Sequence, residues 1–382
     1  MGRDYRLVSA DGHVVEPPDL WTKYLPPRFH DRAPKLVKDP KGGDAWELVP
    51  GTPPMPLGLV TNAGRYGKRY EELEWYGSTY DTIMAGSYQG KARLDEQDFD
   101  GLDAEVLFPS QRTMGAFMAQ EDDAYHLAGL EAYNTWMHDE FMAVDPDRLI
   151  GLAQMPAVDA PTAIRWLHDA QGAGYRGVII SAYPSGEAAL SDADDPFWAA
   201  AEEAQLPVHI HSGLRHSGQR RAGSFQQAAA AFGRTIGLAE MGGPIGEASG
   251  FVSAFIYSGL FDRFPDLQMV MVECGAGWIP HFLEHMDDHY WRNRTWTDAQ
   301  LELLPSEYFR RNWKATFIRE PFAVANRHWI GVDNLMFSTD YPHHRHDWPY
   351  SRRIVEETMA GVPAVERRRM VCDNARELYR LG

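Results

Sequence analysis

The chain has 382 residues, 44% of them hydrophobic and 24% charged, an ordinary composition for a water-soluble folded protein with a large core. A formal net charge of -17 opposes polyanions, so neither nucleic acid nor an anionic membrane surface is expected as a partner. A small acidic substrate stays open, because a local site can carry the opposite sign. Cys274 and Cys372 are the only cysteines, which excludes a disulfide framework and fits a reducing compartment. Residues 1–6 lead straight into a strand with no signal-peptide core, and no apolar run approaches the ~20 residues of a membrane helix. A cytoplasmic location is expected.

Leu7-Val8-Ser9-Ala10 predicts a first strand, ending in Asp11-Gly12-His13. Residues 26–90 then break the pattern, rich in Pro, Gly, Tyr and Trp and with weak periodicity. Such a segment inside a folded chain is a lid or a disordered insert. Trp46, Tyr66, Tyr70, Trp75, Tyr76, Tyr80 and Tyr88 favour an ordered lid, since disordered segments are poor in aromatics. Ala104 to Pro109 predicts the second strand, and Leu127, Leu130, Tyr133, Trp136, Met137 and Phe141 recur at helical spacing. Leu149 to Met155 predicts the third strand. Asp159 and Pro161 open a helix that Gly172 or Gly174 closes. Gly177 to Ala182 is the fourth strand, and Asp195-Pro196 opens another helix. Leu206 to His211 is the fifth strand, followed by an Ala/Gly/Met-rich helical stretch from about 224 to 259. Leu267 to Glu273, Trp313 to Ile318 and Leu335 to Asp340 complete the strands, with helices at 278–289, 352–359 and 364–381.

Eight buried strands alternating with helices predict an α/β fold of parallel strands: a single (β/α)8 TIM barrel over residues 1–382, with the 26–90 insertion as a lid over its active site. The rival is a doubly wound open sheet, but no G-x-G-x-x-G follows the first strand. In such a barrel the reacting groups come from the C-terminal ends of the strands. Asp11 and His13 end the first strand two residues apart, on one side; His211 ends the fifth and Asp340 the eighth. Two imidazoles and two carboxylates suit Zn2+, Mn2+ or Fe2+, and the carboxylates favour Mn2+ more than an all-histidine site does.

Asp-x-His at 11–13, Leu-Pro-x-x-x-His at 206–211, Phe-Pro-Asp-Leu at 264–267 and Ser-Thr-Asp-Tyr-Pro-His at 338–343 together resemble the amidohydrolase superfamily. The match is to its amidohydrolase-2 branch, which includes aminocarboxymuconate semialdehyde, γ-resorcylate and 5-carboxyvanillate decarboxylases. The resemblance covers the first strand and then residues 92–380. It implies a (β/α)8 barrel with one divalent metal, Zn2+ or Mn2+, ligated by Asp11, His13, His211 and Asp340, and a homodimer. The Ala/Gly/Met-rich stretch near 224–259 offers one surface for that dimer, and its composition fits ordinary helix packing equally well. The chain departs from the branch at two places. Asp11 stands where His or Glu is usual, and Glu273, in Val-Glu-Cys-Gly-Ala-Gly-Trp, stands where a histidine ends the sixth strand. A glutamate there can act as a base, but repels an anionic substrate.

Asp340, Glu273 and His211 are the expected catalytic residues, with Glu16, Arg319 and His343 placed for substrate contact or for orienting the site. His209 lies two residues before His211 and reads as a satisfied core histidine, the alternative being a ligand or a neighbour of the ligands. Arg215, His216, Arg220 and Arg221 form a basic cluster, a solvated face by default that can offset Glu273 for an acidic substrate, and His343, His344 and His346 cluster after the last strand. Cys274 reads as a buried small residue, with no Cys/His pair to activate it. The expected function is a metal-dependent decarboxylase (lyase) of a small aromatic or unsaturated carboxylic acid. The alternative is hydrolysis of an amide, lactone or ester on the same barrel, which Glu273 favours; a barrel that only binds a ligand is the third reading.

Overall fold

The computed structural model describes residues 3–61, 70–110, 113–118, 122–214, 243–297, 299–345 and 348–382. The chain forms two compact units, one of residues 1–154 and 337–382, the other of residues 155–336.

In the first unit, β1 (Val8–His13) is buried along its whole length. Three more strands, β2 (Lys35–Lys38), β3 (Asp44–Glu47) and β4 (Met55–Pro56), form a small antiparallel sheet in the order β2-β3-β4. The insertion is therefore not irregular throughout. Lys-Leu-Val-Lys and Asp-Ala-Trp-Glu pair across a turn in which Gly42 and Gly43 take φ of 98° and 89°, the turn signal that makes so short an alternation a hairpin. The insertion packs against the chain beyond His13: the Val15 amide donates to the Ser87 carbonyl at 2.7 Å, and the buried Tyr80 hydroxyl donates to the Glu16 carbonyl at 2.6 Å.

β5 (Ala104–Phe108) pairs in parallel with β1 and with β6 (Leu149–Gly151), giving the order β1-β5-β6, and β7 (Ala153–Gln154) follows after Leu152. The register of β1 on β5 shifts between Ser9 and Gly12, a bulge beside Asp11 and His13. The helix Gly90–Asp100 closes at Gly101 and turns Arg93, Gln97 and Asp100 inward. Asp122 caps the helix Asp123–Trp136 by accepting from the Tyr125 amide.

In the second unit, β8 (Val178–Ile179), β9 (Val208–His211), β10 (Met269–Val272), β11 (Trp313–Phe317) and β12 (Leu335–Phe337) lie in the order β12-β11-β10-β9-β8. The β8–β9, β9–β10 and β10–β11 pairings are parallel, and helices separate the strands. Asp159 accepts from the Thr162 amide and caps the helix Ala160–Gly172, as its Asp-x-Pro start predicts. Trp198, Phe255 and Trp313 pack edge to face, with ring centroids 5.4 and 5.8 Å apart. Each such fully buried aromatic contributes on the order of 2–3 kcal/mol. All eight runs predicted as strands are strands, the third as the two short pieces β6 and β7.

Candidate metal centre

The end of β1 puts Asp11 and His13 among the least exposed residues of the first unit. His13 Nδ1 lies 2.8 Å from the Pro109 carbonyl oxygen. A carbonyl only accepts, so Nδ1 carries the proton and Nε2 keeps its lone pair. That Nε2 stands 3.6 Å from Asp11 Oδ1 and 3.3 Å from Asp340 Oδ1. A lone pair facing carboxylate oxygens on two sides is repulsive unless a cation or a proton lies among them.

Asp340 follows β12 with φ of 58°, a left-handed backbone that a non-glycine residue adopts at a cost of about 1–2 kcal/mol. Two bonds hold it there: the amides of Thr339 and Asp340 donate to the Asp11 carbonyl at 3.2 and 2.9 Å. His343 Nδ1 stands 2.8 Å from Asp340 Oδ1, and the His343 ring stacks on His13 at 3.9 Å. His13, Asp340 and His343 each offer a ligand atom within 4.8 Å of the others. Asp340 Oδ2 and His343 Nε2 are buried with no hydrogen-bond partner among the described residues. Burial alone would raise the Asp340 carboxyl, but His343 beside it holds it far below the usual range. Burial pushes the His343 imidazole down to about 4, against the pull of Asp340. The cluster joins an ionised carboxylate, a buried neutral His343 and the fixed tautomer of His13, a donor set that fits a divalent cation.

Glu16 is buried and meets Ser110, whose hydroxyl donates to Oε2 at 2.5 Å and whose amide donates to Oε1 at 3.2 Å. Burial raises its carboxyl, and the Ser110 bonds pull it back. Ser110 follows the Pro109 carbonyl that orients His13, so Glu16 acts on the site through this loop.

In the second unit His211 ends β9, and its Nε2 lies 3.8 Å from Glu273 Oε2 just beyond β10. Ser212 joins them, its hydroxyl donating to Glu273 Oε2 at 3.0 Å and lying 3.3 Å from His211 Nδ1. Ser212 and Glu273 both take φ of 60°. With Asp340, three non-glycine residues past strand ends are left-handed, a strain typical of functional sites. No sequence signal marks it. The Glu273 amide donates to Thr316 Oγ1 at 3.1 Å, and Glu320 accepts from the Ala276 and Gly277 amides at 2.8 and 3.1 Å, which fixes the loop after Glu273.

Arg319 is exposed on the loop after β11. His209 is buried with Nδ1 2.9 Å from the Val178 carbonyl oxygen, as expected of a satisfied core histidine. Cys274 is buried, its thiol donating to the Val272 carbonyl. Arg215, His216, Arg220, Arg221 and His346 lie outside the described residues. Sequence reasoning passes over Arg93 and Glu105, a buried ion pair at 2.8 Å. Glu105 sits inside an apolar strand, and Arg93 is on a helix without an apolar stripe.

The chain is similar to the γ-resorcylate decarboxylase of Polaromonas, 24% identical over an alignment of 257 residues that covers 64% of this chain and 74% of that protein. Its fold matches an amidohydrolase from Mycobacterium avium subsp. paratuberculosis at a TM-score of 0.75 and 20% identity, over 99% of this chain and all of that one (100%). It also matches a dihydroxybenzoic acid decarboxylase from Polaromonas, solved with bound manganese and the inhibitor 2-nitroresorcinol, at a TM-score of 0.66 and 16% identity, over 99% and 98% of the two chains. The amidohydrolase family model spans residues 91–381. These residues include β5 to β12, Asp340 and His343, and the chain belongs to the amidohydrolase family.

Proposed function

We propose that this protein is a metal-dependent decarboxylase of a small aromatic carboxylic acid, working on a (β/α)8 barrel with the 26–90 insertion as its lid. One observation carries the reading: His13, with its tautomer fixed by Pro109, aims a lone pair at Asp340, whose other neighbour is His343. The decarboxylase names of the relatives and the manganese of a structural neighbour support the choice of reaction and metal.

Asp11, His13, His211 and Asp340 would hold one divalent ion, Mn2+ or Zn2+. When bound, the ion supplies Lewis-acid polarisation of a substrate oxygen. Asp340 is ionised and accepts the proton of a ring hydroxyl as the substrate binds. It returns that proton to the ring carbon that bears the carboxylate. The bond from this carbon to the carboxylate then breaks, its electron pair restores the ring, and CO2 leaves. Neutral His343, 2.8 Å from Asp340 Oδ1, keeps the carboxylate oriented through both transfers. Glu16 holds the loop that fixes His13, and Arg319 and His343 are the substrate-facing groups of this reading.

A second reading, hydrolysis of an amide, lactone or ester, draws on Glu273. Its carboxylate beside His211 and Ser212 is a base in waiting and a poor neighbour for an anionic acid.

Metal analysis of the purified protein is expected to give about one divalent ion per chain, and hydroxybenzoic acids to release CO2 with the matching phenol as product. Asp340→Asn and His211→Ala should abolish turnover while leaving the protein folded. Full activity in those variants, or a hydrolysis product without CO2, overturns the reading.

A further inference from the structure

We infer that the buried Arg93–Glu105 pair is the positioning clamp that sets His13 against Asp340; this rests on the metal reading above. Arg93 and Glu105 are both 1% exposed or less, and Arg93 Nε donates to Glu105 Oε2 at 2.8 Å. The remaining donors of Arg93 go to main-chain carbonyls. Nη1 reaches Gly86 at 3.0 Å, and Nη2 reaches His13 at 3.0 Å and Tyr341 at 3.4 Å. The guanidinium also lies 4.1 Å from the centre of the Tyr341 ring. His13 is one of the four proposed ligands, and Tyr341 directly follows another, Asp340.

Glu105 closes the same bracket from β5. Its Oε2 also accepts from Gln97 Nε2 at 3.2 Å, while Oε1 accepts from Thr339 Oγ1 at 3.1 Å, one residue before Asp340. Oε1 fills the space over Gly12: a Cβ there would stand 2.0 Å away. The glycine between Asp11 and His13 is therefore the place where the clamp passes under the ligands. One planar five-donor cation and one bidentate acceptor tie the end of β1 to the segment 339–341. Lysine has the charge of Arg93 but not its planar fork.

A buried ion pair is weak evidence of a stability role, because apolar residues of similar volume often replace one without loss. The clamp has a different measurable consequence, ligand spacing. Groups that orient metal ligands typically change metal affinity 10–100-fold when removed.

The test titrates metal-free protein with Mn2+ alone, following free Mn2+ by electron paramagnetic resonance. Wild type, Glu105→Gln, Arg93→Lys and the double variant Arg93→Met/Glu105→Leu are compared. The double variant leaves no unpaired charge and keeps the fold testable if a single variant fails to fold. Asp103→Ala is the control: Asp103 accepts from the Arg6 and Leu7 amides at 2.7 and 2.8 Å, before β1 and away from its ligand end. The clamp predicts a 10–100-fold weaker Mn2+ affinity in the double variant and Glu105→Gln, a smaller loss in Arg93→Lys, and wild-type affinity in the control. Wild-type affinity in the folded clamp variants overturns the inference. Equal losses in the control make the pair merely structural and overturn it as well. Absence of Mn2+ binding to wild type is a separate result, and refutes the metal reading itself.

Discussion

His343 lies flat against His13, ring centroids 3.9 Å apart and planes 17° apart, and both rings point a nitrogen at the same oxygen of Asp340. The two imidazoles are not equivalent. His13 has its other nitrogen tied to Pro109, whereas His343 Nε2 is buried with no hydrogen-bond partner among the described residues. One ring has its tautomer fixed by the main chain; the other lies beside Asp340.

That division makes His343→Ala informative. Loss of an orienting partner for the proton carrier is expected to lower kcat by on the order of 100-fold. Metal content should stay near one ion per chain, because the four proposed ligands are untouched. Metal analysis beside steady-state kinetics checks this. Loss of the metal together with activity would instead make His343 a ligand.

Gly12→Ala tests the packing under the ligands. The new methyl meets Glu105 Oε1 at 2.0 Å, and Glu105 cannot swing away without leaving Arg93. Overpacking of this kind costs about 1–3 kcal/mol. The variant should melt earlier and bind Mn2+ more weakly. Thermal unfolding at the wild-type midpoint would show that the space is softer than this geometry implies.

Much of this architecture was legible in the sequence because strands and helices carry periodic apolar signals. The runs ending in His13, His211 and Asp340 alternate with helices whose starts, such as Asp159-Ala160-Pro161, are chemically explicit. The hairpin of β2 and β3 was missed because four-residue strands give almost no pattern, and its information lies in the turn glycines. Arg93 and Glu105 were missed for the opposite reason. Hydropathy assigns charged residues to the surface, and only the fold shows that each is the other's burial partner. Nor do serine and glutamate announce a left-handed backbone as glycine does. Ser212, Glu273 and Asp340 are ordinary letters in the sequence and strained ones in the structure.

Asp100 sets a pH dependence away from the site. Burial raises its carboxyl from 3.8 to about 6, although the Ser351 amide and hydroxyl both donate to it. A folded value above the unfolded one means the native state binds the proton more tightly. Stability from this group is therefore full below about pH 4 and lost as pH rises through 6. The difference amounts to roughly 3 kcal/mol. Asp100→Asn, which mimics the protonated form, should gain on wild type by that order between pH 4 and pH 7. Urea unfolding of both proteins across this range measures it, and parallel profiles would refute the assignment.

Glu273→Gln separates the two reactions by sign. In the decarboxylase the glutamate is a negative charge near an anionic acid, and removing it relieves repulsion. A relief of about 1.4 kcal/mol lowers KM roughly tenfold, with kcat nearly kept. In the hydrolase the same change removes a base, so kcat falls by on the order of 100-fold or more while KM barely moves. Glutamine keeps an acceptor for the Ser212 hydroxyl, which stands 3.0 Å from Oε2, so the loop beyond β10 is spared in both cases. Steady-state kinetics on one carboxylate substrate at constant ionic strength reads the two parameters apart. A KM that falls supports loss of CO2, and a kcat that collapses at fixed KM supports hydrolysis.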